Sequence, residues 1–71
     1  MDILIFKTDI ANRFHSAALQ KVFNQMDGIV KYTVDVEDID HVLRVEALNV
    51  KAPQIQAALT LAGYFCEELE D

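Results

Sequence analysis

The chain has 71 residues, one cysteine and a formal net charge of −6, because 12 Asp and Glu outnumber 6 Lys and Arg. At this length it forms one small domain, which buries only about 60% of the surface that its unfolded chain exposes. A lone cysteine excludes an internal disulfide, the acidic charge disfavours nucleic-acid partners, and an apolar fraction of 52% excludes a disordered chain.

Residues 3–8 (ILIFKT) predict a first strand, because the run is short, β-branched and aromatic, and apolar on both faces. Its apolar part, Ile3 to Phe6, is far shorter than the roughly 20 residues of a membrane span. No basic segment precedes an apolar one at the N-terminus, as it would in a signal peptide. We therefore expect a cytoplasmic protein with no membrane partner.

Residues 13–27 predict a first helix, because apolar side chains recur at helical spacing between Ala18 and Met26. Asn12 is a suitable N-cap, since its side-chain oxygen can accept a hydrogen bond from the first turn. Gly28 suits the left-handed position after a helix and predicts its C-cap.

Residues 30–37 and 41–48 predict the two strands of a β-hairpin, because apolar and polar side chains alternate along both. Residues 37–40 (EDID), which are rich in acid, form the predicted turn between them. The side chains expected on the buried faces are Val30, Tyr32, Val34 and Val36, and then Leu43, Val45 and Ala47.

Residues 53–62 predict a second helix, with Pro53 tolerated in the first turn and Gly63 ending it. This segment contains no charged residue, so its outer face is unusually smooth for a solvated surface. A short last strand begins at Tyr64, and residues 67–71 form an acidic tail. The inner stripe of the helix is predicted to be Ile55, Ala58, Leu59 and Ala62, and its outer face Gln54, Gln56, Ala57, Thr60 and Leu61.

The order strand, helix, strand, strand, helix, strand predicts an α+β fold of the ferredoxin-like βαββαβ type. Two helices would cover one face of a four-stranded antiparallel sheet. In this topology the loop after the first strand, the hairpin turn and the end of the second helix lie at the same end of the sheet. The side chains expected to meet there are Asp9, Asn12, His15, Asp38, Asp40, His41 and Tyr64.

Three short segments resemble the heavy-metal-associated domain, the family of small copper chaperones and of the N-terminal domains of metal-transporting ATPases. These segments are residues 18–23 (ALQKVF), residues 26–29 (MDGI) before the alternating strand, and residues 62–64 (AGY) before the last strand. The resemblance extends over roughly residues 3–68 and implies that residues 1–71 form a single domain of this type.

The metal motif of that family, Met-x-Cys-x-x-Cys, matches residues 10–15 (IANRFH) here. Asn12 and His15 occupy the positions of the two cysteines, so both thiolates are missing. Because Cu(I) prefers thiolate and thioether ligands, we expect this loop not to bind it. Arg13 adds a positive charge that further opposes a cation. We expect Cys66, the one remaining thiol, to be a buried small apolar residue.

Divalent metal binding is one prediction for this end of the sheet, because imidazole and carboxylate groups suit Zn²⁺ or Ni²⁺. The other interpretation is that His15 is an exposed residue of the first helical turn and that the acidic turn is simply solvated. The candidate ligands for a weakly bound metal are His15, His41, Asp9, Asp38 and Asp40. No other cofactor is expected.

Enzymatic activity is not expected, because the sequence contains no catalytic motif and no glycine-rich phosphate loop. The family uses its metal loop and the position of Tyr64 to dock partner domains. By resemblance, the partner-binding residues here are Asn12, Arg13, Phe14, His15 and Tyr64.

We predict a protein-interaction or self-association module whose partner is another protein or a second copy. The alternative is weak divalent-metal binding or metal trafficking through His15 and nearby carboxylates. A third hypothesis is a dimeric small-molecule sensor built through the open sheet face, where Val42, Leu48 and Phe65 are expected beside the first strand.

Overall fold

A computed structural model describes residues 1–10 and 15–69 of the chain. Their strands form one antiparallel sheet in the order β2-β3-β1-β4. This is the predicted ferredoxin-like α+β fold. In chain order the elements are β1 (Asp2–Thr8), α1 (Ser16–Asn24), β2 (Ile29–Val34), β3 (Leu43–Ala47), α2 (Ala52–Leu61) and β4 (Cys66–Glu68).

The core lies between the helices and one face of the sheet. Alternate residues of the central strands β1 and β3 point into it, because side chains of a strand alternate between its two faces. Phe6, Leu43 and Val45 are fully buried there. The helices contribute most of the apolar stripes predicted from helical spacing, and Ile55 and Leu59 of α2 are fully buried. Ala18, where the predicted stripe of the first helix begins, is exposed instead. The buried helical residues are Leu19, Phe23, Ala52, Ile55 and Leu59.

Helix α1 ends at Asn24, three residues before the predicted end at Asp27. The N–H groups of Gln25 and Met26 donate to carbonyl groups three residues back, at 3.2 and 3.1 Å, so the last turn tightens and the helix stops. The predicted N-cap and the first two predicted helical residues (Asn12, Arg13 and Phe14) lie outside the described residues.

Gly28 is not the C-cap of α1, although it has the expected positive φ of 93°. Its role is a close approach at the start of β2, where its carbonyl accepts the N–H of Leu48 at 2.8 Å. A Cβ atom at this position would lie 2.4 Å from the Leu48 carbonyl oxygen. The glycine is therefore required by the contact between β2 and the end of β3.

The hairpin strands are shorter than predicted, because acidic side chains fold the turn between Val34 and Leu43. Asp35 Oδ1 accepts the N–H groups of Glu37 and Asp38 at 3.1 and 3.2 Å. Such local bonds replace the hydrogen bonds of a strand ladder. Val36, predicted on the buried face of the strand, consequently lies in the turn.

A second difference in β2 concerns Val30, which is 56% exposed rather than buried. The pairing of β2 with β3 shifts register between Ile29 and Lys31, so Val30 is the extra residue of a bulge. The strand regains the predicted alternation afterwards, with Tyr32 and Val34 packed against the core.

Helix α2 ends as predicted near Gly63, which has φ +95°. The N–H of Tyr64 donates to the Leu59 carbonyl at 2.9 Å and that of Gly63 to Thr60 at 3.0 Å, which together form a Schellman motif. Ala62 is the exposed C-cap and does not belong to the inner stripe.

Strand β4 begins at Cys66, two residues later than predicted. The N–H of Tyr64 is already used by the helix end, and that of Phe65 donates to Asp9 Oδ1. Glu67 and Glu68, assigned to an acidic tail from the sequence, pair with β1 as part of this strand.

Candidate functional site

One end of the sheet, here called the rim, brings together the end of β1, the turn between β2 and β3, and the connection between α2 and β4. Strand β1 lies between β3 and β4, so its last residues have a neighbour on each side. On one side, the Thr8 N–H donates to the Asp40 carbonyl at 3.2 Å. On the other, Asp9 Oδ1 accepts the Phe65 N–H at 3.0 Å. The predicted convergence of these three connections is confirmed.

The rim contains an aromatic pair made by His15, just before α1, and Tyr64, just after α2. A hydrogen bond of 3.0 Å joins His15 Nδ1 to the Tyr64 hydroxyl, its direction depending on the imidazole tautomer. The rings meet edge to face, with centroids 5.2 Å apart and planes at 90°. The Schellman motif at Gly63 places Tyr64 for this contact. Both residues are partly exposed.

The other three residues of the predicted partner-binding set, Asn12, Arg13 and Phe14, lie outside the described residues. Their contribution to the rim stays a prediction. The two members that the structure describes, His15 and Tyr64, are 49 residues apart in sequence and in direct contact.

The acidic candidates for metal binding have structural partners. Asp38 Oδ1 accepts the N–H of Asp40 at 2.8 Å, and Asp40 Oδ1 lies 3.5 Å from Lys7 Nζ. Asp9 holds the start of β4, as described above. Within residues 1–10 and 15–69, no three His, Cys, Asp or Glu side chains lie close enough together to hold a metal ion. Divalent metal binding by His15, His41, Asp9, Asp38 and Asp40 stays a prediction.

The donor groups do not fit a copper site with two thiolates. Cys66 is the one cysteine of the sequence, and its side chain is buried in the core, with 5% of the residue exposed. Burial raises the pKa of this thiol from its ordinary value of 9.0 to about 11. The thiolate that soft metals require is therefore scarce at neutral pH. The prediction that Cys66 is a buried small residue is confirmed.

Thr8 is a structural residue of the rim that sequence reasoning missed. It is 4% exposed, and its hydroxyl donates to the His41 carbonyl at 2.6 Å and accepts the Ile10 N–H at 3.2 Å. The signal was present in the sequence, since Thr8 is polar at a position that continues the buried face of Leu4 and Phe6. A buried hydroxyl needs a hydrogen-bond partner, and here its two bonds connect the end of β1 to the turn that precedes β3.

His41 is held by its backbone in an unusual conformation, with φ at +43°. Its N–H donates to the Asp38 carbonyl at 3.1 Å, and its ring Nδ1 is buried without a hydrogen-bond partner among the described residues. The sequence predicts His41 only as a metal ligand. In the structure its backbone also closes the turn between β2 and β3, through the bond to Asp38.

The outer face of α2 is a second candidate surface. All five residues predicted for it are exposed, and Leu61 is 90% exposed. Because Leu61 lies beside Pro53 and Ala57 on a helix without charged residues, this face is a candidate interaction surface.

The open face of the sheet, by contrast, mixes charged and apolar side chains. On this face Ile3 pairs with Glu46 and Ile5 with Arg44. Lys7 pairs with Glu67 at the edge of the sheet. Apolar residues therefore alternate with charged ones, and the face is not a continuous apolar surface. Leu48 and Phe65, expected on it, are exposed but lie outside the strands.

Comparison with known proteins identifies relatives by structure alone. No protein-family profile matches the sequence, and no curated protein shows significant similarity to it. Among solved structures, the Atx1-Cu(I)-Ccc2a complex superimposes with a TM-score of 0.80 at 18% identity, covering 97% of this chain and 96% of the other. The Zn(II) form of the N-terminal domain of ZntA has a TM-score of 0.76 at 20% identity, covering 96% and 92%.

The apo heavy-metal-associated domain of a copper chaperone for superoxide dismutase has a TM-score of 0.77 at 19% identity. The match covers 96% of this chain but 66% of that one. At these identities the likeness shows the fold, and it is the fold that the resemblance in the sequence implied. In the described part of the chain, no helix is both long and apolar enough to cross a membrane.

Proposed function

We propose that this domain binds another protein through the rim and acts as a cytoplasmic, non-enzymatic interaction module. The contact between His15 and Tyr64 carries the proposal. In the resemblance to the heavy-metal-associated family, His15 stands at the position of the second metal-binding cysteine, and here its Nδ1 is engaged by the Tyr64 hydroxyl at 3.0 Å.

The aromatic pair suits a protein contact because it is already ordered in the free domain. Each ring restricts the other, so docking costs little side-chain entropy. Both rings retain exposed surface at the rim, and aromatic residues are enriched among those that dominate binding energy. Asp9 supports the pair, since its bond to the Phe65 N–H holds the segment that carries Tyr64.

The fold itself is compatible with docking between domains. One structural relative is the Atx1-Cu(I)-Ccc2a complex, in which a domain of this fold is bound to another protein. The copper chemistry does not transfer, because the sole cysteine of this chain is buried. Docking without a metal cargo is the part of the chaperone role that the residues support.

The test begins with the immobilised domain, used to isolate partners from the native source, and continues with the purified partner by calorimetry. We expect Tyr64→Ala to weaken binding about 30-fold, the effect of losing a residue that dominates an interface. Leu48→Ala is the matched control, because Leu48 is 51% exposed and lies just after β3, at the end of the sheet opposite the rim. A chelator should leave binding unchanged. Equal affinity of the wild type and Tyr64→Ala would contradict the proposal.

A further inference from the structure

Two neighbouring depressions share Leu61 on the helical side of the molecule, and we call this surface the helical strip. The first is a shallow depression on α2 lined by Pro53, Gln56, Ala57, Thr60 and Leu61. The second is a groove between α1 and α2, about 360 Å³ in volume, lined by Val22, Gln25, Met26, Ala58, Leu61 and Ala62. Leu61 thus forms a ridge with a hollow on each side.

The helical strip carries no charge, although the chain has a net charge of −6. Residues 52–66 contain no Asp, Glu, Lys or Arg, and Lys21 is the one charged residue of α1. All 12 acidic residues belong to other parts of the chain. The helical strip is therefore a surface on which a second acidic molecule can approach with little direct repulsion.

One polar side chain of the helical strip, Thr60, already has a hydrogen-bond partner within its own helix. The Thr60 hydroxyl donates to the Gln56 carbonyl at 2.8 Å. Because this proton is already bonded within the helix, the donor loses no hydrogen bond to water when the surface is covered. The desolvation penalty of this one donor is correspondingly small.

We propose that two copies of this domain associate through the helical strip, with Leu61 of each copy seated in the groove between α1 and α2 of the other. A two-fold interface must present the same patch on both sides, and this patch contains both a protruding side chain and a hollow. A second copy suits this surface because its own helical strip brings no charged side chain into the interface, although each copy has a net charge of −6.

The expected dimer is weak. The molecule measures 28 × 27 × 18 Å between its outermost Cα atoms, and the helical strip is only part of one face. The interface is therefore smaller than the about 800 Å² per partner of a standard complex. Screening of the net charge by salt should strengthen the dimer, because it weakens repulsion between the copies without affecting apolar contact.

This inference rests on the proposed interaction role but names a second copy as partner and uses a surface other than the rim. Its test is sedimentation equilibrium from about 10 µM to about 1 mM, the range in which a small interface associates. We expect the apparent mass to rise with concentration above the 8.0 kDa of the monomer. Leu61→Gln, which adds no charge, should weaken the dimer at least about tenfold.

Ile39→Gln is the matched control, because Ile39 is 92% exposed in the acidic turn and the change is of the same kind. Ala57→Glu is a second variant, which places a charge on the helical strip one turn from Leu61. A mass of one copy at the highest concentration, or equal weakening by Leu61→Gln and Ile39→Gln, would overturn the inference. If no dimer forms but a partner protein still binds at the rim, the inference fails and the proposed function is unaffected. If a dimer forms but no partner binds at the rim, the proposed function fails and the dimer is unaffected.

Discussion

The buried hydroxyl of Thr8 donates a hydrogen bond of 2.6 Å to the carbonyl of His41, 33 residues away in the sequence. The same oxygen accepts the N–H of Ile10 at 3.2 Å. One side chain of β1 therefore connects the turn between β2 and β3 to the loop that follows β1. The rim depends on this connection as well as on the pair of His15 and Tyr64.

Replacing Thr8 by valine should destabilise the fold with little change in volume. The substitution leaves the His41 carbonyl and the Ile10 N–H without their partner, a loss of about 1–3 kcal/mol for each buried group left unsatisfied. Urea unfolding followed by circular dichroism measures the difference. Thr33→Val, at an exposed position of β2, is the matched control and should change stability by less than about 0.5 kcal/mol. Equal stability of both variants would contradict the structural role of Thr8.

The two glycines should respond differently to alanine. At Gly63 a Cβ atom meets open space, so Gly63→Ala costs only the left-handed backbone conformation, about 1–2 kcal/mol. At Gly28 the same atom would lie 2.4 Å from the Leu48 carbonyl oxygen, so Gly28→Ala adds a backbone clash to the same conformational cost. We expect Gly28→Ala to be clearly the less stable in thermal unfolding. The opposite order would be inconsistent with the close approach of β2 and β3.

The buried thiol predicts a loss of stability in alkali. Because burial raises the pKa of Cys66 to about 11, the unfolded chain releases this proton at lower pH than the folded one. The stabilisation is fully present below pH 9.0, the ordinary pKa, and is lost as the pH rises toward 11. Free energies of unfolding across this range should fall more steeply for the wild type than for Cys66→Ala, in which the other titrating groups are unchanged. Parallel curves would show that Cys66 makes no such contribution.

A metal titration distinguishes protein docking at the rim from the alternative function, divalent-metal binding. We expect Zn²⁺ at a few equivalents to leave the imidazole NMR signals of His15 and His41 in place, because no three possible ligands lie close together among the described residues. Tyr64→Phe removes the hydroxyl that is bonded to His15 Nδ1 and tests whether this bond changes the response of the imidazole to the metal. Joint shifts of both histidines in the wild type would favour divalent-metal binding instead.

Much of the fold could be predicted, because the apolar period changes with each element. The alternation of residues 43–47 and the helical spacing of Ile55 and Leu59 depend on burial alone, which a single sequence displays. The differences arise where side chains act on the backbone. The Asp35 carboxylate accepts two backbone N–H groups and so forms the turn. A bulge places Val30 away from the core face of β2. Neither effect has a periodic signature.

The rim was predictable in outline and not in detail. The topology alone brings the loop after β1 near Tyr64, so the proximity of His15 and Tyr64 followed from the order of the elements. The hydrogen bond between them depends on the Schellman turn at Gly63 and on side-chain orientation. The structural use of Asp9 and Asp38 was hidden for the same reason, because a carboxylate in a loop has the same sequence signal whether it binds a metal or a backbone N–H.

The two tyrosines lie in different surroundings, so their intrinsic fluorescence reports on two parts of the domain. The sequence has no tryptophan, so ultraviolet emission comes from Tyr32 and Tyr64. Tyr32 packs against Phe23 in the core with ring centroids 4.6 Å apart, whereas Tyr64 shares its hydroxyl with an imidazole at the rim. In Tyr64→Phe the remaining signal would follow the core, and in Tyr32→Phe it would follow the rim. Occupancy of the rim and unfolding of the core can thus be recorded separately, without any attached dye.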